Sequence, residues 1–324
     1  MLDTLLQWLN AHLEGDIIGA VGHRIVHGGR RFVDPVRIDE TILAGLDALV
    51  PLTPLHQPHN LAAIRAVARA QPALPQVGCF DTAFHRTMPA VATRLALPRA
   101  LGDAEVRRYG FHGLSDEFIA ARLRQVAPTL VRGRVIVAHL GNGASLCARR
   151  NGRSIETTMG FSTLDGLVMG TRPGCLDTGA VLYLMQSRGM AAEAVEDLLY
   201  QQSGLLSVSG ISGNMRELAA STRPEAREAV ELFAYRLAGE VGRLAAALGG
   251  LDGLVLTAGI SEHDAALRTE ICRRLAWLGV VPDPAANKGG HGRISTDASP
   301  TEAWVVPTDE EAVIARHTHA LVAA

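Results

Sequence analysis

Two glycine-rich turns in the sequence could hold phosphate groups. In residues 138–144 (AHLGNGA) a strand must turn sharply, which leaves backbone N–H groups free to face an anion. Residues 257–262 (TAGISE) lead from a buried-type strand into a helix, and helix N-termini attract phosphate. Taken singly, each is better explained as an ordinary tight turn or a capped helix start. Two such exits in one chain favour a bound nucleotide, because α/β sheets bind ligands at the carboxyl ends of their strands.

A third segment, residues 22–29 (GHRIVHGG), ends a strand with cationic and imidazole groups. Arg24 could fork onto a carboxylate or a phosphate, and a structural ion pair is an equally good interpretation. His23 and His27 lie four residues apart, which in a strand separates them by about 13 Å. That distance is too long for one metal ion, so the spacing excludes a zinc site built on this pair.

Residues 169–174 (MGTRPG) form a loop that presents Arg172. An arginine on such a loop is usually solvated, but phosphoryl transfer spreads negative charge over the equatorial oxygens, where an arginine speeds the reaction. Asp81 (in FDTAFH) and His112 (in YGFHG) are single polar groups among apolar neighbours. A lone buried histidine is more often a core residue than a catalyst, so both interpretations of these segments stay open.

Strands and helices alternate along the chain, which predicts an α/β fold. Helices are predicted at residues 2–13, 39–49, 58–70, 116–126, 264–277 and 310–322. Strands are predicted at residues 17–26, 77–81, 135–140, 144–149, 154–158 and 253–257. Asn151-Gly152 between two strands is a type I′ hairpin signal. No change in composition marks a domain boundary.

Composition excludes several classes of function. The 324 residues are 48% apolar and 20% charged, which is typical of a soluble globular protein long enough for two domains. The net charge of −2 gives no reason to expect nucleic acid or an anionic membrane as a partner. Asp3 precedes any Lys or Arg and no apolar run could span a bilayer, so a cytoplasmic protein is expected. Cys79, Cys147, Cys175 and Cys272 form no close pair and are interpreted as free thiols.

Taken together, nine segments resemble acetate kinases in type and order. They are GHRIVHGG, PLTPLHQP, FDTAFH, RRYGFHG, HLGNGAS, MGTRPG, SGISGNMR, TAGISEH and PTDEEAVIAR, and the match runs from about residue 1 to the end of the chain. Butyrate kinases do not carry the first pair in this form, so an acetate or propionate kinase fits better. The resemblance implies a two-domain actin-like (ribonuclease H-like) ATPase fold. The first domain would comprise residues 1–84 and 309–324, and residues 85–308 would form the nucleotide-binding and dimerisation domain.

The resemblance also implies a role for each charged candidate. Arg24 and Arg172 would hold the carboxylate and the transferring phosphoryl group, and His112 would donate a hydrogen bond to the transition state. Asp81 stands at the family's proton-donor position. Because acetate is already ionised at pH 7, we expect Asp81 instead to orient an arginine or a metal-bound water. Glu310 would bind Mg²⁺, with Mn²⁺ as a substitute.

The remaining contacts follow from the same matched segments. The acyl pocket would comprise Val26, Leu55 and Phe111, with His56 beside it. The implied contacts with ATP, the co-substrate, are His139, Leu140, Gly141, Asn142, Gly143, Asn214, Met215, Arg216, Gly259, Ile260, Ser261, Glu262 and His263. Several residues depart from the family pattern, which leaves the preferences for substrate and nucleotide open: Thr163, Cys175, Thr178, Asn214, Ser261 and His263.

The leading hypothesis is an ATP:acetate phosphotransferase that forms acetyl phosphate and ADP. The family's N-terminal strand and Ser-rich phosphate loop have no match in residues 1–22, so the first domain is expected to be incomplete at its N-terminus. The alternatives are a propionate kinase and a truncated nucleotide-binding remnant without transferase activity. An ATPase with a sugar or protein client is disfavoured. The expected partners are acetate or another short-chain carboxylate, ATP or ADP, and a second copy in a homodimer, with no nucleic acid and no membrane.

Overall fold

The computed structural model describes residues 17–323 together with Trp8 and His12. Trp8 and His12 are helical, and the rest of the helix predicted at residues 2–13 lies outside the described residues. The chain divides into two compact units. The first unit comprises Met1–Arg86, Phe111–Phe118 and Asp309–Ala324, and the second comprises Thr87–Gly110 and Ile119–Thr308.

Strands and helices alternate in both units. In chain order the strands are β1 (Val21–Ile25), β2 (Val36–Arg37), β3 (Gln76–Phe80), β4 (Arg134–Leu140), β5 (Ala144–Arg150), β6 (Arg153–Thr157), β7 (Gly253–Thr257), β8 (Gly292–Arg293) and β9 (Glu302–Val305). The α-helices are α1 (Glu40–Asp47), α2 (Gln57–Ala70), α3 (Ala90–Thr93), α4 (Arg99–Ala104), α5 (Gly113–Val126), α6 (Thr178–Gln186), α7 (Ala192–Gln201), α8 (Gly204–Ser209), α9 (Met215–Ala220), α10 (Pro224–Leu248), α11 (Gly259–His263), α12 (Ala265–Arg274), α13 (Pro284–Gly289) and α14 (Glu310–Val322).

A three-stranded sheet of order β1, β3, β2 is the centre of the first unit. Strand β1 runs parallel to β3, and β2 runs antiparallel to it. Every residue of β3 is buried because apolar side chains cover both faces of the strand. On one face Phe80 packs with Leu46 of α1 and Leu61 of α2, and on the other Val77 packs with Val313 of α14. This packing fixes the ends of β1 and β3.

The second unit contains a six-stranded sheet of order β6, β5, β4, β7, β9, β8. Strands β4, β7 and β9 are parallel to one another, and the remaining pairings are antiparallel. Helix α10 lies against β4, β5 and β6 and buries an apolar stripe that includes Phe233, Leu237, Val241 and Leu244. Within the described residues, no helix combines the length and apolar character that a membrane crossing requires.

Most predicted elements differ from the structure by a few residues, and the two that are shortened most are a strand and a helix. The strand expected at residues 17–26 is limited to β1, because its ladder with β3 begins where Val21 pairs with Gln76. The residue before Gln76 is Pro75, which has no N–H to continue the ladder. The helix expected at residues 264–277 ends at Arg274 and is followed by a 3-10 turn. The type I′ hairpin is confirmed, since Asn151 and Gly152 both have positive φ, of 54° and 71°.

Candidate active site

The carboxyl ends of β1 and β3 lie side by side in the first unit. Ile25 pairs with Phe80, and the Asp81 N–H donates to the Ile25 carbonyl at 3.0 Å. The turn after β1 is held by Asn60 of α2, whose Oδ1 accepts from the Val26 N–H at 3.1 Å. Parallel pairing therefore brings two distant segments, GHRIVHGG and FDTAFH, to one edge of the sheet.

Arg24, Asp81 and Glu310 form a charged cluster at this edge. The Arg24 guanidinium donates to the Asp81 carboxylate from Nε at 3.0 and 3.1 Å and from Nη2 at 2.8 Å. Its Nη1 lies 3.1 Å from Oε2 of Glu310, the first residue of α14. The Asp81 side chain is only 2% exposed, whereas that of Arg24 is 43% exposed. A guanidinium carries more N–H groups than these contacts use, so Arg24 can accept a further anion from the solvent side.

Burial and charge act differently on the two members of the Arg24–Glu310 pair. The Asp81 carboxylate raises the pKa of Arg24 above its usual range, with a smaller contribution from Glu310. Burial raises the pKa of Glu310 to about 7, because its desolvation outweighs the attraction of Arg24 and the neighbouring carboxylates of Asp81 and Glu311 oppose a further negative charge. Glu310 is thus a carboxylate that would be stabilised by an additional cation.

His112 lies in a tightly held turn at the start of α5. Its backbone is left-handed, with φ of 59°. The Gly113 N–H donates to the Asp81 carbonyl at 2.8 Å, and a side chain at Gly113 would collide with that carbonyl oxygen. Nε2 of the buried His85 lies 2.9 Å from the Phe111 carbonyl and donates to it. The turn that carries His112 is therefore attached to the segment that carries Asp81.

The predicted acyl-pocket residues all lie in the first unit. Phe111 is fully buried, and its ring meets the edge of the His27 ring at 5.7 Å between centroids. Burial lowers the pKa of His27 to about 4, so this ring is neutral at pH 7. Leu55 is partly exposed and lies just before α2, where His56 is the N-cap residue. The structure brings the Phe111 and His27 rings together.

A cavity in the second unit gathers three segments that are far apart in the sequence. Strands β4 and β7 are parallel, with His139 opposite Thr257, so the turns that follow them meet at one edge of the sheet. The cavity has a volume of about 500 Å³, within the range of ligand sites. It is lined by Gly141, Asn142, Asn214, Met215, Arg216, Ala219, Gly259, Ile260, His263 and Asp264.

Five of the predicted nucleotide contacts support this cavity without lining it: His139, Leu140, Gly143, Ser261 and Glu262. Leu140 is buried in β4, and the Gly143 carbonyl accepts from the Gly141 N–H at 3.0 Å. The Ser261 hydroxyl donates to the Thr257 carbonyl at 2.6 Å, and the Glu262 carboxylate accepts from the Ala258 N–H at 2.7 Å. The Ser261 and Glu262 side chains are thus hydrogen-bonded to the protein backbone.

Arg172 lies on a loop that is hydrogen-bonded along its length. The carbonyls of Met169 and Thr171 accept from backbone N–H groups at the start of α8, and a side chain at Gly204 would collide with this loop. The Arg172 guanidinium donates from Nη1 to the Thr163 carbonyl at 2.8 Å. In the part of the chain that the structure describes, no carboxylate lies within 4 Å of it. Arg172 is partly buried, and this burial lowers the pKa of its guanidinium.

Comparisons with known proteins identify the family of this chain. The Acetokinase family model matches residues 1–316. The chain belongs to the acetokinase family. It is 56% identical over 317 residues to the acetate kinase of Rhodopseudomonas palustris, covering 97% of this chain and 80% of that protein. An acetate kinase of Rhizobium meliloti is 53% identical over 318 residues, covering 98% and 80%.

Solved structures of the acetokinase family agree. The propionate kinase from Francisella tularensis superposes with a TM-score of 0.93 at 39% identity, covering 98% of this chain and 83% of that one. The acetate kinase of Porphyromonas gingivalis gives 0.91 at 38% identity, covering 99% and 84%. The predictions of an actin-like ATPase fold and of a phosphotransferase that uses ATP and a short-chain carboxylate are confirmed.

Sequence reasoning missed two buried polar residues, Arg268 and His85, that hold this family's motif segments. Arg268 of α12 is 1% exposed and donates from Nη1 to the carbonyls of Ser261 at 2.7 Å and Glu262 at 3.0 Å. His85 holds the Phe111 carbonyl, as described above. A signal for Arg268 was present, since it shares the helical spacing of the buried residues Ile271 and Cys272. His85 had no comparable signal beyond its place in FDTAFH.

Proposed function

We propose that this protein transfers the γ-phosphoryl group of ATP to acetate in a reversible reaction. A carboxylate oxygen attacks the γ-phosphorus in line, the bond from that phosphorus to the β,γ-bridging oxygen breaks, and ADP leaves with that oxygen. The observation that carries the proposal is the cavity of about 500 Å³ at the carboxyl ends of β4 and β7. Membership of the family gives the reaction class, and the cavity gives a place for the nucleotide.

The second unit supplies the nucleotide site and one cation. Gly141 and Asn142 of the turn after β4 line the cavity together with residues of α11. Arg172 is a desolvated guanidinium without a carboxylate partner in the described chain. Such a group attracts an anion strongly, because charges interact more strongly where solvent screening is reduced. We assign Arg172 to the charge that develops on the transferring phosphoryl group.

The first unit supplies the acceptor side. Arg24 binds the acetate carboxylate through the N–H groups that Asp81 and Glu310 leave unused, and Asp81 fixes the plane of the guanidinium by its two-point contact. This geometry supports Asp81 as the residue that orients Arg24. His112 donates to the transition state from its rigid turn. Val26, Leu55 and Phe111 contact the methyl group of the acceptor, with His56 beside them.

Glu310 fits the role of a Mg²⁺ ligand. It is a half-buried carboxylate with a raised pKa of about 7, and an oxygen ligand of this kind binds a hard divalent cation well. Its Oε2 contacts only the half-exposed Arg24 side chain among the charged groups described. When bound, Mg²⁺ or Mn²⁺ neutralises charge on the β- and γ-phosphate oxygens. With the metal bound, Glu310 would be ionised and would contribute a negative charge next to Arg24.

Propionate is a second candidate acceptor. It is favoured because a propionate kinase structure superposes on this chain with a TM-score of 0.93. The two acids differ by one methylene, which a hydrophobic pocket discriminates by only about 1–3 kcal/mol. The ratio of kcat/KM for acetate and propionate decides between them.

A homodimer is supported by helix α6. None of its residues is buried although the helix is largely apolar, and Leu182 and Tyr183 are each more than half exposed. An apolar helix left on the surface marks an interaction site. Tyr183→Glu should shift the protein to monomer in light scattering, while Val91→Glu, at another exposed apolar residue, should not. We further propose that the two units correspond to the two predicted domains and that the protein is cytoplasmic.

Acetyl phosphate formation tests the proposed function. The purified protein is incubated with ATP, Mg²⁺ and acetate, and acetyl phosphate is trapped as its hydroxamate. We expect formation that saturates with both substrates and an ADP product in equal amount. ATP hydrolysis without hydroxamate, or no turnover with either acetate or propionate, would contradict it.

A further inference from the structure

The residue that precedes the cavity-lining helix α11 has a backbone conformation that alanine rarely adopts. Ala258 follows β7 with φ of 68° and ψ of 165°. This region of backbone space is occupied almost entirely by glycine, because a Cβ atom makes it strained. The next residue begins α11, whose Gly259, Ile260 and His263 line the cavity. The direction in which α11 leaves the sheet therefore depends on this one strained residue.

Two side chains hold the strained turn. The Glu262 carboxylate accepts from the Ala258 N–H at 2.7 Å, while the Glu262 N–H donates to the Ala258 carbonyl at 3.0 Å. Arg268 then holds the far end of the turn, since its Nη1 donates to the Ser261 and Glu262 carbonyls. Neither Glu262 nor Arg268 lines the cavity.

Arg268 is itself fixed by a second layer. Its Nε donates to Oδ1 of Asn287 at 2.7 Å, and its Nη2 donates to the Asn287 carbonyl. Asn287 in turn donates from Nδ2 to the Ala265 carbonyl and to the Thr269 hydroxyl, both at 2.9 Å. The guanidinium is buried although no carboxylate lies within 4 Å of it in the described chain. So large a polar group is retained in the interior only when its N–H groups are satisfied.

We propose that Glu262 and Arg268 are positioning residues that hold the strained Ala258 turn in the shape that receives the nucleotide. They act through the backbone of residues 258–263 and do not touch the ligand. The inference rests on the proposed function, because it names how the same nucleotide site is shaped. It replaces the direct nucleotide contact that the sequence predicts for Glu262.

A glycine rescue tests the proposal. With MgADP as the calorimetric probe, Glu262→Ala should raise the dissociation constant about tenfold. Without the carboxylate, the Ala258 backbone can relax from its strained conformation, and restoring that conformation when the nucleotide binds costs roughly that factor in affinity. The KM for ATP should rise with it, while kcat at saturating ATP stays within about threefold. The double variant Ala258→Gly/Glu262→Ala should recover most of the lost affinity, because glycine adopts the same φ without the carboxylate. Glu262→Gln, whose amide oxygen still accepts from the Ala258 N–H, should stay near the parental value.

The controls separate the possible failures. Glu193→Ala removes an exposed glutamate of the same unit and should leave ADP binding unchanged. If the double variant stays as weak as Glu262→Ala, Glu262 contacts the nucleotide directly and the proposal is overturned. Arg268→Lys, which lacks the Nε and Nη2 donors that fix the guanidinium to Asn287, is the second variant, and unchanged ADP affinity there would also overturn the proposal. A parental protein that binds no MgADP and forms no acetyl phosphate would instead contradict the proposed function.

Discussion

Two arginines, one in each unit, are held in opposite electrostatic settings. Arg24 forms salt bridges with Asp81 and with Glu310, and its side chain is 43% exposed. Arg172 is desolvated and gives one hydrogen bond to a carbonyl, with no carboxylate near it in the described residues. The pKa of Arg24 is raised by Asp81, whereas burial lowers that of Arg172.

The difference indicates a division of labour. A guanidinium whose charge is already compensated adds geometry more than attraction, so Arg24 suits the alignment of an acceptor that is charged in both ground and transition states. An uncompensated guanidinium gives its full attraction to charge that appears during the reaction, which suits Arg172. The settings also predict different effects on the stability of the folded state, since removing Arg24 leaves the buried Asp81 carboxylate unpaired, whereas removing Arg172 leaves no carboxylate of the described residues without a partner.

The largest effect is expected from Arg172→Ala. If Arg172 stabilises charge that develops during transfer, kcat should fall on the order of 10³ or more while ATP affinity barely changes. Lysine should rescue poorly, because it lacks the planar fork. Steady-state kinetics with an ATP titration measure both quantities, and Arg227→Ala, an exposed arginine of the same unit, is the control. Near-parental kcat, or a loss confined to ATP affinity, would contradict the role assigned to Arg172.

The next effect is expected from Arg24→Ala. The KM for acetate should rise about 10- to 100-fold, because charge-assisted hydrogen bonds to a carboxylate are lost. The variant should also unfold more easily by about 1–3 kcal/mol, since the buried Asp81 loses its partner. Chemical denaturation should show no such loss for Arg172→Ala. Arg69→Ala, at an exposed position of the same unit, provides the baseline. Equal stability of Arg24→Ala and Arg172→Ala would contradict the difference in charge partners between the two arginines.

A double-mutant cycle sharpens the role of Asp81. If Asp81 acts by orienting Arg24, then Asp81→Asn should raise the KM for acetate, and the effect should nearly vanish in the background of Arg24→Ala. The coupling energy should be about 1 kcal/mol or more, as found for residues that act as a unit. Additive losses would show that Asp81 has an independent task, such as proton transfer.

The smallest effect concerns pH and Glu310. Its raised pKa of about 7 means that the folded chain holds this proton more tightly than the unfolded chain, so its contribution to stability falls as pH rises from about 4.5 to 7. Because Mg²⁺ competes with the proton, the metal's apparent affinity should weaken below pH 7, approaching about tenfold per pH unit. Titration of the protein with Mg²⁺ at several pH values measures this. Glu310→Gln should bind Mg²⁺ weakly and without this pH dependence, and a steep dependence in that variant would assign the proton elsewhere.

The regular elements were largely predictable because their signals are local. Strand β7 and helix α14 have the bounds that the sequence predicts, and the Asn151-Gly152 hairpin has the turn type expected of that dipeptide. The predicted bounds were wrong where pairing with another strand determines them. The strand predicted at residues 17–26 is shortened to β1, because its ladder begins opposite Gln76.

The sequence indicated the motif segments of the candidate site, and it did not indicate the hydrogen-bond partners of their side chains. The nine segments and their order identify the family, and the rule that ligands bind at the carboxyl ends of strands correctly brings the turns after β4 and β7 together. The same reasoning could not tell that Ser261 and Glu262 turn toward the backbone. Their side chains are ordinary hydrogen-bonding groups, and only neighbours in space determine which partner each takes.

The sequence by itself determined the element types, the motif order and therefore the family and its reaction class, because these depend on residue identity and short-range spacing. Tertiary structure alone decided that carboxylates compensate the charge of Arg24 while, among the described residues, none compensates that of Arg172. Compensation comes from Asp81 and from Glu310, which are distant in the chain and reach Arg24 only through the packing of β3 and α14 beside β1. Desolvation likewise depends on which segments cover a side chain. Charge state in a folded protein is a property of three-dimensional surroundings, so the same residue type serves two different purposes in the two units.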